Sequence, residues 1–501
     1  GSVNINAGSL RLSNGQALAN SVSVSLTATG SDLILTDSEV IGSLSAVSGS
    51  TITLGANRLT VGDATSTTVG GVISGTGGGL TKLGSGVLTL SGNNTYTGLT
   101  TISEGTIRLG GAGNGAATPL GTAASGTVVA AGASLDLNGY SLSTNEALAL
   151  SGDGASANIG ALTNGSTTAA TYSGLINLTG SARIHGAGGD IVLSNVGTIT
   201  GEGYTLTLDG SGSASSLVSL IGTGAGALNK TGTGTWTLSG ANTYSGGTTI
   251  TAGTLQVGNG ANSGAVGSGA VVNNGTLKFS RNDTFEVSNV ISGTGSVIQS
   301  GAGTVVFASN NSYGSTSVAA GILQVGNGGT VGSLGSGAVT NNGILSFKRS
   351  DVITVSNLIS GTGDIRQIGS GTLTLTNSNT FTGATEISSG VLALNGSGGI
   401  QSSSGLINNA SFDITGVTSN VSVRTVTASA GSSILLGAKN LTITNSSGVI
   451  DGVISGVGGS LTLSTGTLTL TGTNTFTGST TVNGGTLTVS ADANLGAAPG
   501  S

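Results

Sequence analysis

The sequence predicts an all-β chain folded as a parallel β-helix, and three features of its 501 residues support this. Short apolar segments alternate with hydroxyl residues, as in the Leu-Thr-Leu segment 88–90. Gly and Asn separate these segments, and one long block recurs five times along the chain. Recurrence of such a block indicates a solenoid of stacked units rather than several globular domains.

The strands are predicted by the period of two in the apolar segments. Segments 206–208, 373–375 and 468–470 repeat the pattern of 88–90, and no stretch shows a helical period. Alternation of this kind, bounded by Gly and Asn, is typical of short strands. With 94 Gly and only 6% charged residues the composition resembles that of disordered chains, but these lack regular apolar residues.

The repeats are fixed in register by an Asn-Thr/Ser-Tyr/Phe tripeptide. It occurs once in each copy, beginning at Asn94, Asn242, Asn311, Asn379 and Asn474. The full copies span 72–110, 220–258, 290–326, 358–395 and 453–490. Stretches between the copies follow the same pattern more weakly, without a linker or a change in composition. We therefore expect one continuous solenoid over 1–501.

The rungs are defined by apolar pairs that recur about every twenty residues, as Leu88 and Leu90 are followed by Ile107 and Leu109. That length suits a coil of three short strands joined by tight turns. Successive rungs would pair backbone to backbone at about 4.8 Å, with inward side chains stacked on their counterparts. A single rung cannot bury its apolar face, so stability is expected to arise between neighbouring rungs.

Composition excludes several classes of function. The formal net charge is −6 and no basic cluster is visible, which argues against nucleic-acid binding. The absence of Cys removes disulfides, thiol catalysis and Cys-ligated metals. No apolar run approaches the roughly 20 residues of a membrane-spanning helix. Because the chain starts without a signal peptide and stops within a pattern, we expect it to be a fragment.

Residues that could carry catalysis are sparse. His185 is the single histidine, and although Asp190 is near in sequence, an exposed surface position is expected. Trp236 replaces an apolar residue of the second copy, so core packing is expected. The sequence predicts no catalytic, cofactor-binding or metal-binding residue and no cofactor. The aspartates are spread singly, at Asp136, Asp153, Asp190, Asp209, Asp283, Asp351 and Asp413.

The first copy contains GGLTKLGSGVLTLSGNNTYTGLTTISEGTIRLG. This segment resembles the passenger-associated transport repeat of autotransporters, the type V secretion family. The resemblance implies a right-handed β-helix exported through the outer membrane of a Gram-negative bacterium by a C-terminal translocator barrel of the full-length protein. The third and fifth copies replace the Lys with Gln299 and Leu463, which argues against a role for Lys82 or Lys230 as a fixed ligand.

The resemblance and the composition together predict a non-enzymatic, extracellular or cell-surface stalk or adhesin. Its partner would be a glycan or protein on a host or neighbouring cell, and the repeats would aid secretion and vectorial folding. An alternative is a self-assembling extracellular fibre, surface-layer or aggregation protein. A third interpretation, a polysaccharide-degrading enzyme, would require carboxylates from different rungs to converge.

Overall fold

The chain forms two compact units of β-strands. The computed structural model describes residues 1–156 and 159–497. Unit 1 comprises Gly1–Asn259 with Ser263–Gly275, and unit 2 comprises Gly260–Asn262 with Thr276–Ser501. The solenoid expected over 1–501 includes residues 157–158 and 498–501, which lie outside the described residues, and its continuity stays a prediction. Within the described part of the chain no helix is long and apolar enough to span a membrane.

Unit 1 consists of short strands joined by turns. Their bounds are β1 Ser2–Ile5, β2 Ser9–Leu12, β3 Ser23–Leu26, β4 Asp32–Leu35, β5 Glu39–Ile41, β6 Ser43–Ala46, β7 Thr51–Thr53, β8 Arg58–Gly62, β9 Thr67–Val69, β10 Val72–Ser74, β11 Gly79–Leu83, β12 Val87–Leu90, β13 Thr100–Ile102, β14 Gly105–Leu109, β15 Thr127–Val129, β16 Ala133–Asp136, β17 Leu148–Gly152, β18 Leu162–Asn164, β19 Ala170–Tyr172, β20 Ile176–Gly186, β21 Ile191–Leu193, β22 Thr198–Ile199, β23 Leu206–Gly210, β24 Ser215–Leu217, β25 Leu220–Ile221, β26 Leu228–Lys230, β27 Thr235–Leu238, β28 Thr248–Ile250, β29 Thr254–Val257 and β30 Val271–Asn273.

Unit 2 has the same construction and ends in a single 3-10 turn, Asp492–Leu495. Its strands are β31 Thr276–Phe279, β32 Thr284–Val287, β33 Ile291–Ser292, β34 Ser296–Gln299, β35 Thr304–Phe307, β36 Thr316–Val318, β37 Ile322–Val325, β38 Val339–Asn341, β39 Ile344–Phe347, β40 Val352–Val355, β41 Ile359–Ser360, β42 Asp364–Gln367, β43 Thr372–Leu375, β44 Thr385–Ile387, β45 Val391–Gly396, β46 Leu406–Asn408, β47 Ser411–Val417, β48 Val421–Val423, β49 Val426–Ala428, β50 Ser433–Leu435, β51 Asn440–Ile443, β52 Ser446–Ile450, β53 Val453–Ser455, β54 Ser460–Leu463, β55 Gly466–Leu470, β56 Thr480–Val482 and β57 Thr486–Val489.

Strand pairing within each unit is parallel and joins each strand to its counterpart one rung later. In unit 1, Leu88 of β12 pairs with Ile107 of β14, 19 residues further along the chain. In unit 2, Leu373 of β43 pairs with Leu392 of β45 at the same spacing. The all-β parallel solenoid predicted from the sequence is confirmed by this register. Its right hand and its three strands per rung stay predictions.

The core of each unit consists of columns of stacked apolar side chains. Every second residue of a strand points inward, so the parallel register stacks an apolar side chain of one rung on the apolar side chain of the next. One unit 1 column runs through Leu88, Ile107, Leu135, Leu162, Ile184 and Leu208. One unit 2 column runs through Leu373, Leu392, Phe412, Ile434 and Ile454. Each member is at most 1% exposed, and each such burial contributes about 1.5–3 kcal/mol.

Candidate functional site

The Asn of each repeat tripeptide links three rungs, and it is buried in four of the five copies and half-buried at Asn311. In the first copy, Oδ1 of Asn94 accepts a 2.8 Å hydrogen bond from the backbone N–H of Ile73, one rung earlier. Its Nδ2 donates a 2.7 Å hydrogen bond to the carbonyl of Pro119, one rung later. Asn94 is fully buried, so these bonds satisfy polar groups that water cannot reach. We call this pair of side-chain bonds the Asn bridge.

All five copies form the Asn bridge. The acceptor oxygens of Asn242, Asn311, Asn379 and Asn474 bind backbone N–H groups at 2.7–2.9 Å. The N–H donors are those of Ile221, Ile291, Ile359 and Ile454. The carbonyl acceptors one rung later belong to Ala265, Ser333, Gly399 and Asn494. The tripeptide that fixed the register of the sequence repeats is therefore a structural link between rungs.

The aromatic residue two positions after each bridging Asn is also fully buried. In the tyrosine copies the hydroxyl is paired with a threonine hydroxyl of the same turn, as Tyr96 with Thr100 at 2.6 Å and Tyr244 with Thr248 at 2.7 Å. Burial raises the pKa of Tyr244 to about 12, although the hydrogen bond to Thr248 opposes the shift. The tyrosines are thus neutral packing residues with one satisfied polar atom.

A buried lysine, Lys82 or Lys230, lies in each of the first two copies. Lys230 is 0% exposed and occupies the aliphatic column between Leu208 and Ile250. Its Nζ donates to the carbonyls of Thr231, Gly232 and Ala252 at 2.5, 2.9 and 3.2 Å. Burial lowers the pKa of Lys230 to about 8, although Asp209 opposes the shift. The ammonium group therefore caps turn carbonyls inside the fold.

Glutamine performs the same capping in the third and fourth copies. Nε2 of Gln299 donates to the carbonyls of Gly301 and Gly303, both at 3.0 Å. Gln367 repeats this geometry, so the fourth copy also lacks the Lys, a departure that sequence analysis missed. Leu463 of the fifth copy is buried as well. Since three residue types fill this position, we infer that it serves packing and turn capping.

A cluster of charged residues lies on the outside of unit 1, where the ladder between β17 and β20 changes register. Nη1 of Arg183 is 2.8 Å from Oδ2 of Asp209, and Nε of Arg183 is 3.3 Å from Oδ1 of Asp153. Nδ1 of His185 lies 3.0 Å from the same Oδ2 of Asp209. Two aspartates expected to be spread singly therefore converge on one arginine, because the chain returns to the same face after each rung.

The expectation of an exposed His185 is wrong. Its side chain retains 21% exposure and pairs with Asp209 of the next rung, not with Asp190. Burial raises the pKa of Asp209, but hydrogen bonds from His185, Gly210, Thr231 and Arg183 outweigh this and hold it well below its usual range. The carboxylate is therefore ionised at neutral pH and acts only as an acceptor, so Nδ1 of His185 carries the proton.

The chemistry of this cluster is that of an ion-pair network. A histidine that acts as the base of a Ser, Thr or Cys nucleophile needs that hydroxyl or thiol within hydrogen-bonding reach. Across 1–156 and 159–497 the structure gives the His185 ring no such partner. The described residues contain no group of three or more His, Asp or Glu placed to hold a metal ion.

The expected burial of Trp236 is confirmed: it is 1% exposed, and its Nε1 donates to the carbonyl of Asp209 at 3.0 Å.

A second carboxyl missed by sequence analysis lies in the interior of unit 1. Glu146 is fully buried, and its Oε1 accepts a 2.5 Å hydrogen bond from Thr127. Its Oε2 has no partner among the described residues. Burial raises the pKa of Glu146 to about 7, against the opposing effect of the Thr127 bond. No sequence pattern distinguishes this glutamate, because its burial depends on the path of the turn that carries it.

Comparison with known proteins gives the repeats a family. The sequence model of the Passenger-associated-transport-repeat matches residues 80–109, 228–257, 297–325, 365–394 and 463–489. Each match lies inside one of the five copies found by inspection. The matched segments carry the buried capping position and the Asn bridge described above.

One curated relative is similar to part of the chain. The adhesin BmaC autotransporter of Brucella suis biovar 1 (strain 1330) is 30% identical over 231 residues. The aligned region covers 42% of this chain and 6% of the relative, so the chain spans a small part of that protein. No solved structure matches the chain. Five transport repeats on a parallel β-solenoid, with similarity to an autotransporter adhesin, support the assignment of this chain as an autotransporter passenger region.

Proposed function

We propose that this passenger region is a non-enzymatic surface stalk or adhesin whose repeats aid secretion and folding outside the cell. The observation that carries the proposal is the Asn bridge, which each of the five copies forms. A passenger region is secreted or displayed at the cell surface, and the proposal therefore gives this chain an extracellular position. The full-length protein would carry its own translocator.

The Asn bridge suits folding that proceeds one rung at a time. Each bridge joins its own rung to the rung before it and to the rung after it in sequence, so it is completed as a neighbouring rung is added. Pairs such as Leu88 with Ile107 join residues 19 apart, so each rung can form soon after its predecessor. Short-range contacts of this kind favour fast folding. A chain that folds directionally in this way could draw itself outward without a cellular energy source.

The role as adhesin is supported by the name of the similar protein and by the surface of this chain. Charged residues make up 6% of the sequence, so outward positions are filled mainly by Ser, Thr and Asn. Such surfaces offer hydrogen bonds to the hydroxyl and amide groups of glycans or proteins. Self-assembly into a fibre stays an alternative prediction, which sedimentation velocity over a range of concentrations would test.

The secretion role is tested by removing the bridges in the full-length protein. Asn94, Asn242, Asn311, Asn379 and Asn474 are changed to Ala singly and then together, and surface display is measured by flow cytometry. We expect display to fall progressively and protease resistance of the displayed chain to fall with it. Asn93→Ala is the matched control, because Asn93 is the exposed neighbour of Asn94.

Unchanged display and protease resistance in the fivefold variant would refute the secretion role. The adhesin role has a separate readout, attachment of bacteria displaying the passenger to host or neighbouring cells. Equal attachment by bacteria with and without this region would refute it.

A further inference from the structure

A cavity of about 350 Å³ opens on the surface of unit 2, between residues 396–401 and 417–422. We refer to it as the 396–422 groove. Its volume is within the lower part of the range of small-ligand sites, which is about 300–1,000 Å³. One lining residue, Gly399, also accepts the bridge bond from Asn379 through its backbone carbonyl, and the side chains that line the groove take no part in the Asn bridges.

The groove lies where the strand ladder is irregular. Ala393 of β45 pairs with Asp413 of β47, but the next pair is Asn395 with Gly416, so β47 has one extra residue here. Such bulges re-aim the chain and are frequent beside functional sites. β47 continues past the bulge to Val417, which pairs with Gly396, and Thr418 donates to the carbonyl of Gly396 through its backbone N–H and its hydroxyl. The groove therefore lies beside a local departure from the repeat.

The lining of the groove is uncharged, and about half of its surface is polar. Its side chains include Ser378, Gln401, Thr418, Asn420 and Ser422, and none of the lining residues, all described in the structure, is ionisable. A charged ligand would find no counter-charge in this lining. A wholly apolar ligand would leave the hydroxyl and amide groups without partners, which costs about 1–3 kcal/mol for each buried group. The chemistry that fits is a neutral ligand with many hydroxyl groups.

Two exposed amide side chains of the groove each make one hydrogen bond within the protein and keep further hydrogen-bonding capacity. The backbone N–H of Asn440 donates to Oδ1 of the exposed Asn420 at 3.0 Å, which leaves Nδ2 as a donor. Nε2 of Gln401 donates to Ser378 at 2.8 Å, which leaves Oε1 as an acceptor. A donor and an acceptor of this kind match the hydroxyl groups of a sugar ring. Val417 and Val421, each 5% exposed, supply the apolar part of the lining.

We propose that the 396–422 groove binds a neutral saccharide. This inference rests on the proposed adhesin function and gives it a site and a ligand class. The groove-blocking variants are Ser419→Trp and Ser422→Trp, because both serines are exposed and line the groove. The matched control is Ser350→Trp, at an exposed turn of unit 2 outside the groove. Circular dichroism of each variant establishes that the solenoid is intact.

The probe is an immobilised panel of neutral hexose and N-acetylhexosamine oligosaccharides, with sialylated and sulfated oligosaccharides for comparison. We expect the wild-type chain and Ser350→Trp to bind members of the neutral set. Ser419→Trp and Ser422→Trp should lose at least about tenfold in affinity, since a bulky ring fills the groove. Absence of neutral binding, stronger binding of the charged set, or undiminished binding by both blocked variants would overturn the proposal.

Cell attachment separates this proposal from the adhesin function. If bacteria displaying Ser419→Trp attach as well as those displaying the wild-type passenger, the groove is not the adhesive site and the adhesin proposal stands. If the wild-type passenger gives no attachment at all, the adhesin proposal fails whatever the oligosaccharides show. Loss of attachment in both blocked variants, with Ser350→Trp unaffected, supports both proposals.

Discussion

The backbone N–H of Ile73 donates its hydrogen bond to the side chain of Asn94, 21 residues later, and not to a backbone carbonyl. The bond length is 2.8 Å and both residues are fully buried. A side chain thus supplies the partner that the strand ladder does not, and the same side chain continues to Pro119 in the next rung. The repeat tripeptide is retained in all five copies because Asn alone combines this acceptor and donor on one short side chain.

Asn94→Ala is expected to weaken the local rungs by roughly 2–4 kcal/mol, because it leaves the Ile73 N–H and the Pro119 carbonyl without partners. A solenoid opens in segments, so a local measurement is needed. In native-state hydrogen exchange the Ile73 amide should exchange roughly 30- to 1,000-fold faster than in the wild type. Asn93→Ala should leave that rate within a few-fold, and equal rates in both variants would contradict the role of the bridge.

A second prediction concerns the buried Lys230. Two substitutions distinguish the effect of its side-chain length from the effect of its hydrogen-bond donors. Lys230→Met keeps the length of the side chain but leaves the carbonyls of Thr231, Gly232 and Ala252 without this donor. We expect a loss of roughly 1–3 kcal/mol in the free energy of unfolding at pH 7. Lys230→Gln should be closer to the wild type, because Gln299 and Gln367 cap the equivalent turns of the third and fourth copies. Urea unfolding followed by Trp236 fluorescence measures both.

The lysine also adds a dependence on pH. Burial lowers the pKa of Lys230 from 10.5 to about 8, so the folded chain holds this proton less tightly than the unfolded chain. The free energy of unfolding is therefore highest, as far as Lys230 is concerned, above pH 10.5, and this contribution is lost as the pH falls from 10.5 through about 8. Stability should therefore rise between pH 8 and 10.5 in the wild type. The rise should be absent in Lys230→Gln, and an identical slope in both chains would count against the buried ammonium.

The fold could be predicted from the sequence because its determinants are local and repeated. The Leu-Thr-Leu alternation indicates where the strands lie, and the tripeptide beginning at Asn94 indicates the register. Because both patterns recur in five copies, an uncertain strand boundary in one copy can be read from the others. The convergence of Asp153 and Asp209 on Arg183 was missed, since these residues come from three rungs and meet only through the ladder. The 396–422 groove was missed for a related reason, because it lies beside a bulge of β47 that no sequence pattern marks.

The ion-pair cluster of unit 1 should stabilise the fold mainly through Asp209. Asp209→Ala leaves Arg183 and His185, with 15% and 21% of their side chains exposed, without their shared partner. We expect a loss of roughly 1–3 kcal/mol, less than for a fully buried pair. The indole of Trp236, the single tryptophan, donates to the Asp209 carbonyl, so its fluorescence reports on this rung during unfolding.

Asp153→Ala is the matched control for the cluster. Asp153 meets the same arginine, but 69% of its side chain is exposed and the contact is 3.3 Å. Exposed ion pairs contribute about 0–1 kcal/mol, so its unfolding midpoint should stay near that of the wild type. Equal losses in the two aspartate variants would show that the cluster is only a surface contact.

Glu146 should make the stability of unit 1 fall as the pH rises. Burial raises its pKa from 4.5 to about 7, so the folded chain binds this proton more tightly than the unfolded chain does. The stabilisation is fully present below pH 4.5 and is lost as the pH rises through about 7, with a total change of roughly 3 kcal/mol. Hydrogen exchange of peptides covering 127–150, measured at pH 5 and pH 8 and corrected for the intrinsic rate, detects the change.

Glu146→Gln separates the carboxyl from the rest of the interior, because Gln keeps the acceptor for Thr127 and cannot ionise. The corrected protection of residues 127–150 should then be nearly the same at both pH values. Glu202→Gln, at an exposed glutamate of unit 1, should retain the wild-type difference. Since an ionised carboxylate in this core has one oxygen without a described partner, the rungs around Glu146 would fold most readily in an acidic medium. A pH difference that persists in Glu146→Gln would assign the effect to another group.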